Sequence, residues 1–156
     1  MNDSEAAAAV HTRSLSNVEL LEMIHAAGIR PSVQRIAILG HIANGRAHPS
    51  AEGIYSSLAP EFPSLSRTTL YNTLHTLAEA GLLRELEIES GTRRYDLKPQ
   101  PPHSHFICRR CGRVFDMKLP EGLERSADDG FSIDSVDLYF KGICPGCKQN
   151  SINNNK

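Results

Sequence analysis

The sequence predicts an α+β protein, with an N-terminal winged helix-turn-helix unit followed by a small C-terminal α/β unit built round a four-cysteine zinc site. Three observations carry this. Four helix signals with short gaps precede two strand-like stretches around a glycine turn, which is the order of a winged helix. Pro99-Gln100-Pro101-Pro102 then interrupts the chain, because three prolines in four residues disfavour both helix and central strand. Beyond it lie all four cysteines, as Cys108-x-x-Cys111 and Cys144-x-x-Cys147.

Residues 1–16 read as a flexible N-terminal arm. Their apolar stretch at 6–10 follows acidic Asp3 and Glu5, where an export signal would carry positive charge. The winged-helix unit spans 17–98. Ser16-Asn17-Val18-Glu19 is a capping box for a helix over 18–27, which Gly28 closes. Ser32 caps a second helix over 33–44, with Ile36, Leu39, Ile42 and Ala43 as its apolar stripe. Ser50, after Pro49, caps a third that runs to Leu58. Ser66 caps a fourth over 67–80, and Gly81 ends it. Residues 82–88 and 92–97 flank Glu89-Ser90-Gly91 and form a hairpin.

Residues 99–102 are the hinge, and the second unit spans 103–148. Strands are expected over 105–108 and 113–117, on either side of the Cys108-x-x-Cys111-Gly112 turn. A helix over 121–128 and a strand over 131–139 follow. A unit of this size needs a metal or a partner to be stable. The asparagine-rich residues 149–156 read as a disordered tail.

Of 156 residues, 40% are hydrophobic and 22% charged, as in folded soluble proteins, and no apolar run approaches a membrane span. A cytoplasmic location is expected. Charge runs against nucleic-acid binding: the formal net charge is −1, and residues 1–98 hold nine Lys and Arg against eleven Asp and Glu. Contact with DNA would therefore rely on local cation clusters.

Two residues between thiolates let a tight turn aim both sulfurs at one point, and thiolate softness selects zinc. Cys108, Cys111, Cys144 and Cys147 thus read as a closed structural zinc site, whose 32 intervening residues must themselves fold. The other readings are a redox dithiol at Cys144-Pro145-Gly146-Cys147 or two disulfides. In a second cluster, His103-Ser104-His105 puts both imidazoles on one face of a strand, able to chelate a metal or simply to sit at the surface. Asp96 and Asp116 stand at nearby strand positions. On spacing alone they read as solvated strand ends or turn residues. His11, His25, His41 and His75 read as surface or tail residues.

Ordered motifs tie these pieces together. They are Gly28-Ile29-Arg30-Pro31-Ser32-Val33-Gln34-Arg35, His48-Pro49-Ser50-Ala51-Glu52, Thr68-Thr69-Leu70-Tyr71-Asn72-Thr73-Leu74, Arg94-Tyr95-Asp96, His103 to Gly112, and Tyr139 to Cys147. Over about residues 17–148 the chain resembles the ferric uptake regulator family, and most of all its peroxide-stress branch. The resemblance implies a DNA-binding winged helix, a C-terminal dimerisation domain, and a regulatory Fe(2+) or Mn(2+) site formed by His48, Asp96, His103, His105 and Asp116. It implies a homodimeric, metal-dependent repressor on operator DNA, with no enzymatic turnover and no small-molecule substrate beyond peroxide as signal. The peroxide-sensing branch is similar in having aspartate at both carboxylate positions. The iron-uptake branch tends to glutamate there, and to a further histidine where this chain reads Asp134-Ser135-Val136-Asp137-Leu138. Sensing would oxidise His48 or His103.

On the fourth helix Leu70, Leu74, Leu77 and Ala78 form one apolar stripe, which leaves Arg67, Tyr71, Asn72 and His75 on the other face to read DNA. Arg30, Gln34, Arg35 and Arg93 are candidate phosphate contacts, with Arg94 a weaker one beside Asp96. Rival readings are an iron- or other metal-responsive repressor of the same family, a thiol oxidoreductase or metallohydrolase, and a zinc-stapled interaction module. No nucleophile elbow or phosphate loop accompanies either site.

Overall fold

The computed structural model describes residues 14–45, 48–89, 91–98, 103–121, 130 and 136–153. The chain divides into two compact units, one spanning Arg13–Gln100 and the other containing Pro101–Lys156.

The first unit is a winged helix. Helix α1 (Asn17–Ala26) opens on a reciprocal capping box, in which the Glu19 amide donates to Ser16 Oγ and the Ser16 amide donates to the Glu19 carboxylate at 2.8 Å. It ends at Gly28, whose φ of 74° lets the Ile29 amide turn back to the Ile24 carbonyl. Helices α2 (Val33–Asn44), α3 (Ala51–Leu58) and α4 (Arg67–Glu79) start on Ser32, Ser50 and Ser66, each hydroxyl accepting the amide three residues on. Strands β1 (Leu83–Glu89) and β2 (Thr92–Leu97) pair antiparallel as the wing, with Gly91 at a φ of 83° in the turn.

One core joins these elements. Leu20 and Ile24 of α1, Ile38, Leu39 and Ile42 of α2, Ile54 of α3, and Leu70, Leu74 and Leu77 of α4 are all buried. Tyr95 and Leu97 of β2 complete it. Pleating therefore turns Asp96 to the opposite face of the strand. The segment before α3 is stitched to that strand by the Tyr95 amide, which donates to the Pro49 carbonyl, and by a bridge between Ser50 and Arg94. This brings His48 alongside Asp96.

The second unit is a three-stranded sheet in the order β4-β3-β5. Strand β3 (Ser104–Cys108) pairs antiparallel with β4 (Val114–Met117), His105 facing Asp116. It pairs parallel with β5 (Tyr139–Gly142), His105 facing Tyr139. Helix α5 (Pro145–Asn153) closes the described chain.

Three expectations are corrected. The strand expected over 131–139 is instead β5: residues 136–138 carry no strand, because pairing with β3 selects the Tyr139 register, and 131–135 lie outside the described residues. The tail expected to be disordered from 149 is helical to Asn153. Proline suits a first helical position, and the Lys148 amide closes the first turn onto the Cys144 carbonyl; residues 154–156 lie outside the description. The arm is ordered from residue 14, since the Leu15 amide and carbonyl are both bonded by the Asn44 side chain. The rest of the arm, 1–13, the hinge at 99–102 and residues 122–128 of the helix expected over 121–128 lie outside the described residues.

Candidate metal centres and nucleic-acid face

Cys108 ends β3, Cys111 follows its turn, and Cys144 and Cys147 flank the start of α5. Their four sulfurs lie within 4.8 Å of one another. The Cys111 and Cys144 sulfurs are 3.8 Å apart, far beyond a disulfide bond, and all four residues are thiols. A tetrahedral ion with Zn–S bonds of about 2.3 Å needs sulfur–sulfur edges of about 3.8 Å. The observed edge matches, so the residues fit structural zinc.

The backbone also prepares the charge. The Cys144 amide donates to Cys108 Sγ at 3.3 Å, and this bond draws the Cys108 thiol down to about 6. The Arg113 amide and guanidinium likewise lower Cys111. Cys147, hydrogen-bonded to Cys144, is pushed up to about 12, as expected for the thiol that keeps a proton among crowded sulfurs. Arg110 donates to the Cys147 carbonyl and ties the two Cys-x-x-Cys turns together.

In the same unit three further donor atoms converge. His103 and His105 Nε2 are 3.1 Å apart, and Asp116 Oδ1 lies 3.5 Å from the first and 3.7 Å from the second. The circle through these three atoms has a radius of about 2.0 Å, so His103, His105 and Asp116 could together hold one ion with N and O bonds of about 2.0–2.2 Å. Both imidazoles are buried, although histidines and carboxylates gathered this closely without an ion are costly. The Ser104 hydroxyl donates to the Met117 and Lys118 carbonyls on the opposite face, which holds β3 against the end of β4. Tyr139 stacks on the His105 ring at 5.7 Å between centroids, a contact that local spacing did not reveal.

In the winged-helix unit His48 Nε2 lies 3.7 Å from Asp96 Oδ1, both side chains 5% exposed. A single ion can bridge two donors at that separation. The Leu97 amide donates to Asp96 Oδ1, and Arg94 donates to the His48 carbonyl, which accounts for Arg94. Each unit therefore assembles its own share of the five expected ligands.

Tyr71, 49% exposed, and Asn72 lie on the outer face of α4, with Leu70, Leu74 and Leu77 inside as expected. A concavity between α2 and α4 is lined by Arg30, Gln34, Arg35 and Asn72, among others. Gln34 donates to Ser64, and Arg35 to the Arg30 carbonyl. The Arg67 guanidinium is held by Glu52. Arg93 is likewise paired with Glu85 at 2.9 Å. No sequence pattern announces Glu52, fifteen residues away, as the partner of Arg67. Among the described residues no helix is long and apolar enough to cross a membrane.

Residues 26–141 match the model of the ferric uptake regulator family. The chain is 36% identical over 135 residues to the peroxide operon regulator of Bacillus subtilis (strain 168), covering 84% of this chain and 92% of that protein. It is 33% identical over 134 residues to the peroxide-responsive repressor PerR of Staphylococcus aureus (strain Mu50), covering 83% and 90%. Its fold resembles the Helicobacter pylori ferric uptake regulator Fur, a structure described as having three functional metal binding sites. The TM-score is 0.72 at 24% identity, covering 88% of this chain and 97% of that one.

Proposed function

Because the chain belongs to the ferric uptake regulator family, we propose that it is a metal-dependent, DNA-binding transcriptional repressor. It works as a cytoplasmic homodimer and is switched by peroxide. The observation that carries this reading is the triangle of His103, His105 and Asp116, sized for one divalent ion, in a chain whose second carboxylate, Asp96, is also an aspartate.

The regulatory ion is held by His103, His105 and Asp116 from one unit and by His48 and Asp96 from the other. Imidazole and carboxylate donors suit Fe(II) or Mn(II), while the four cysteines keep zinc apart. Ligands drawn from both units fix the hinge, so a dimer presents its two α4 helices at one spacing, matched to two half-sites of an operator. Binding of metal and of DNA are then coupled through their shared preference for that arrangement. Tyr71 and Asn72 read bases, and Arg30, Gln34, Arg35 and Arg93 approach the backbone.

Iron, when bound, would supply the redox chemistry that cleaves peroxide, the imidazole being the group that gives up two electrons overall; manganese would not. His48 and His103 stand at that position as the oxidisable groups. The net change is insertion of one oxygen atom at an imidazole carbon, the second peroxide oxygen leaving as water. An imidazole so altered is a poorer ligand, and the hinge is released. The protein is consumed as a sensor and does not turn over as an enzyme.

The test is binding of the zinc-containing chain to its own upstream DNA, loaded with Fe(II) or Mn(II), before and after low peroxide. Release of the Fe(II) form alone, with a gain of one oxygen at His48 or His103 by peptide mass, is the expected result. If both forms hold DNA through peroxide, the reading becomes an iron- or manganese-responsive repressor.

A further inference from the structure

We propose that Glu52 is a specificity-determining residue for DNA, its carboxylate holding the Arg67 guanidinium until a guanine edge takes its place. This rests on the DNA-binding reading above. Arg67 is the first residue of α4, so its side chain leaves the turn that a winged helix-turn-helix presents to base edges, one turn before Tyr71. Glu52 lies in the first turn of α3. The two meet as a fork, Arg67 Nε donating to Oε1 and Nη2 to Oε2, each at 3.1 Å. The guanidinium lies over the Tyr55 ring, 4.2 Å from its centre. Glu52 and Tyr55 are three residues apart on α3, so one face of that helix supplies both the acceptor pair and the stacking platform.

Two parallel acceptors are also what guanine offers through O6 and N7. Exchange is open because the pair is wet: the Arg67 and Glu52 side chains are 58% and 56% exposed, and an ion pair in water is weak. A phosphate could satisfy the same two N–H groups, but it would bring a second negative charge against Glu52. A guanine edge carries no net charge. The carboxylate therefore penalises any docking in which Arg67 meets backbone rather than base. Glu52 also lines a depression with Tyr71, Gly91 and Arg93, between α4 and the wing, so it faces whatever those two elements grip. Arg93 with Glu85 repeats the pairing of cation with carboxylate in this unit. The deficit of positive charge over residues 1–98 acquires a purpose on this account: weak attraction to arbitrary DNA.

The test uses the full chain loaded with zinc and Mn(II), and its Glu52→Gln variant, which keeps the size and one acceptor. Both are titrated by fluorescence anisotropy onto the duplex that the parent selects from a random library, and onto a shuffled duplex of equal composition. Removing the charge raises affinity for the shuffled duplex about threefold to tenfold and for the selected duplex less than about twofold, so the specificity ratio falls. Replacing each dG of the selected duplex by 7-deazaguanine, which lacks N7, costs the parent about tenfold at one position and costs Arg67→Met nothing there. Equal gains on both duplexes, or none, overturn the role of Glu52. Indifference of the parent to 7-deazaguanine overturns guanine as the displacing group. If the parent binds neither duplex, the DNA-binding reading fails, and this role fails with it.

Discussion

Asp116→Ala removes one corner of the His103–His105–Asp116 triangle. All three donor atoms already stand 3.1–3.7 Å apart, so the parent binds an ion without paying for rearrangement. The alanine variant keeps two imidazoles at the same spacing and loses the carboxylate charge. Outer-shell partners of metal ligands are worth about tenfold to hundredfold in affinity, so a direct ligand is worth at least about a hundredfold. At a Mn(II) concentration about ten times the parent's Kd, occupancy then falls from about nine-tenths to about one-tenth. DNA binding should fall in step if the ion closes the hinge. The assay is a Mn(II) titration read by anisotropy of labelled operator, with zinc counted separately by mass spectrometry. Zinc should stay at one per chain, because the thiolates sit at the far end of β3. Asp96→Ala, in the other unit, should shift the Mn(II) midpoint in the same direction. A midpoint unchanged in Asp116→Ala would refute the assignment of the triangle as the regulatory site.

Two further outcomes are expected. Among the described residues, the buried apolar side chains of the second unit are Ile107, Val114 and three of the cysteines, so the zinc cluster is most of its core. Cys144→Ser should therefore lose zinc and, with it, hydrogen-exchange protection across β3 and β4, since a structural zinc contributes on the order of 10 kcal/mol of folding free energy; α2 and α4 should keep theirs, and a zinc-free chain with β3 still protected would contradict this. Gly40→Ala gains about 1 kcal/mol of helix propensity. However, its Cβ would stand 2.9 Å from Leu20 Cδ1, a side chain 1% exposed and packed on all sides. Overpacking costs about 1–3 kcal/mol, so the variant should be less stable by about 1 kcal/mol. Its thermal midpoint by circular dichroism should drop by about 4–8 °C, and a rise would show that α1 yields.

What the sequence made legible was local. Ser16, Ser32, Ser50 and Ser66 each cap a helix through an amide three residues away, so the four helices could be placed from neighbours alone. The cysteine cluster was legible for a similar reason, since each Cys-x-x-Cys pair closes within one turn. The failures are all cases where distant chain decides. Val136-Asp137-Leu138 alternates as a strand would, but parallel pairing with β3 begins at Tyr139. Asparagine-rich composition concealed α5, whose first turn is anchored by Cys144 and Cys147. Asp116 could be assigned only by resemblance, because its place beside His103 and His105 depends on the register between β3 and β4. Nothing in the sequence linked Arg67 to Glu52.

The aspartates, on which the preference for peroxide over iron as signal turns, have a local geometric basis. Asp116 stands directly opposite His105 across an antiparallel pair, where Cα atoms are about 4.5–5.5 Å apart. From that distance one methylene delivers the carboxylate oxygen 3.5 and 3.7 Å from the two imidazole nitrogens. A glutamate adds a bond of about 1.5 Å, which must be folded back or carried past the triangle. At Asp96 the constraint is of a different kind: Oδ1 accepts the amide of the next residue, Leu97, at 2.8 Å while facing His48. So short a loop back to the main chain is a property of aspartate, and a longer side chain would have to give up either the amide or the histidine. Both positions thus favour the shorter acid for reasons that act within each unit separately.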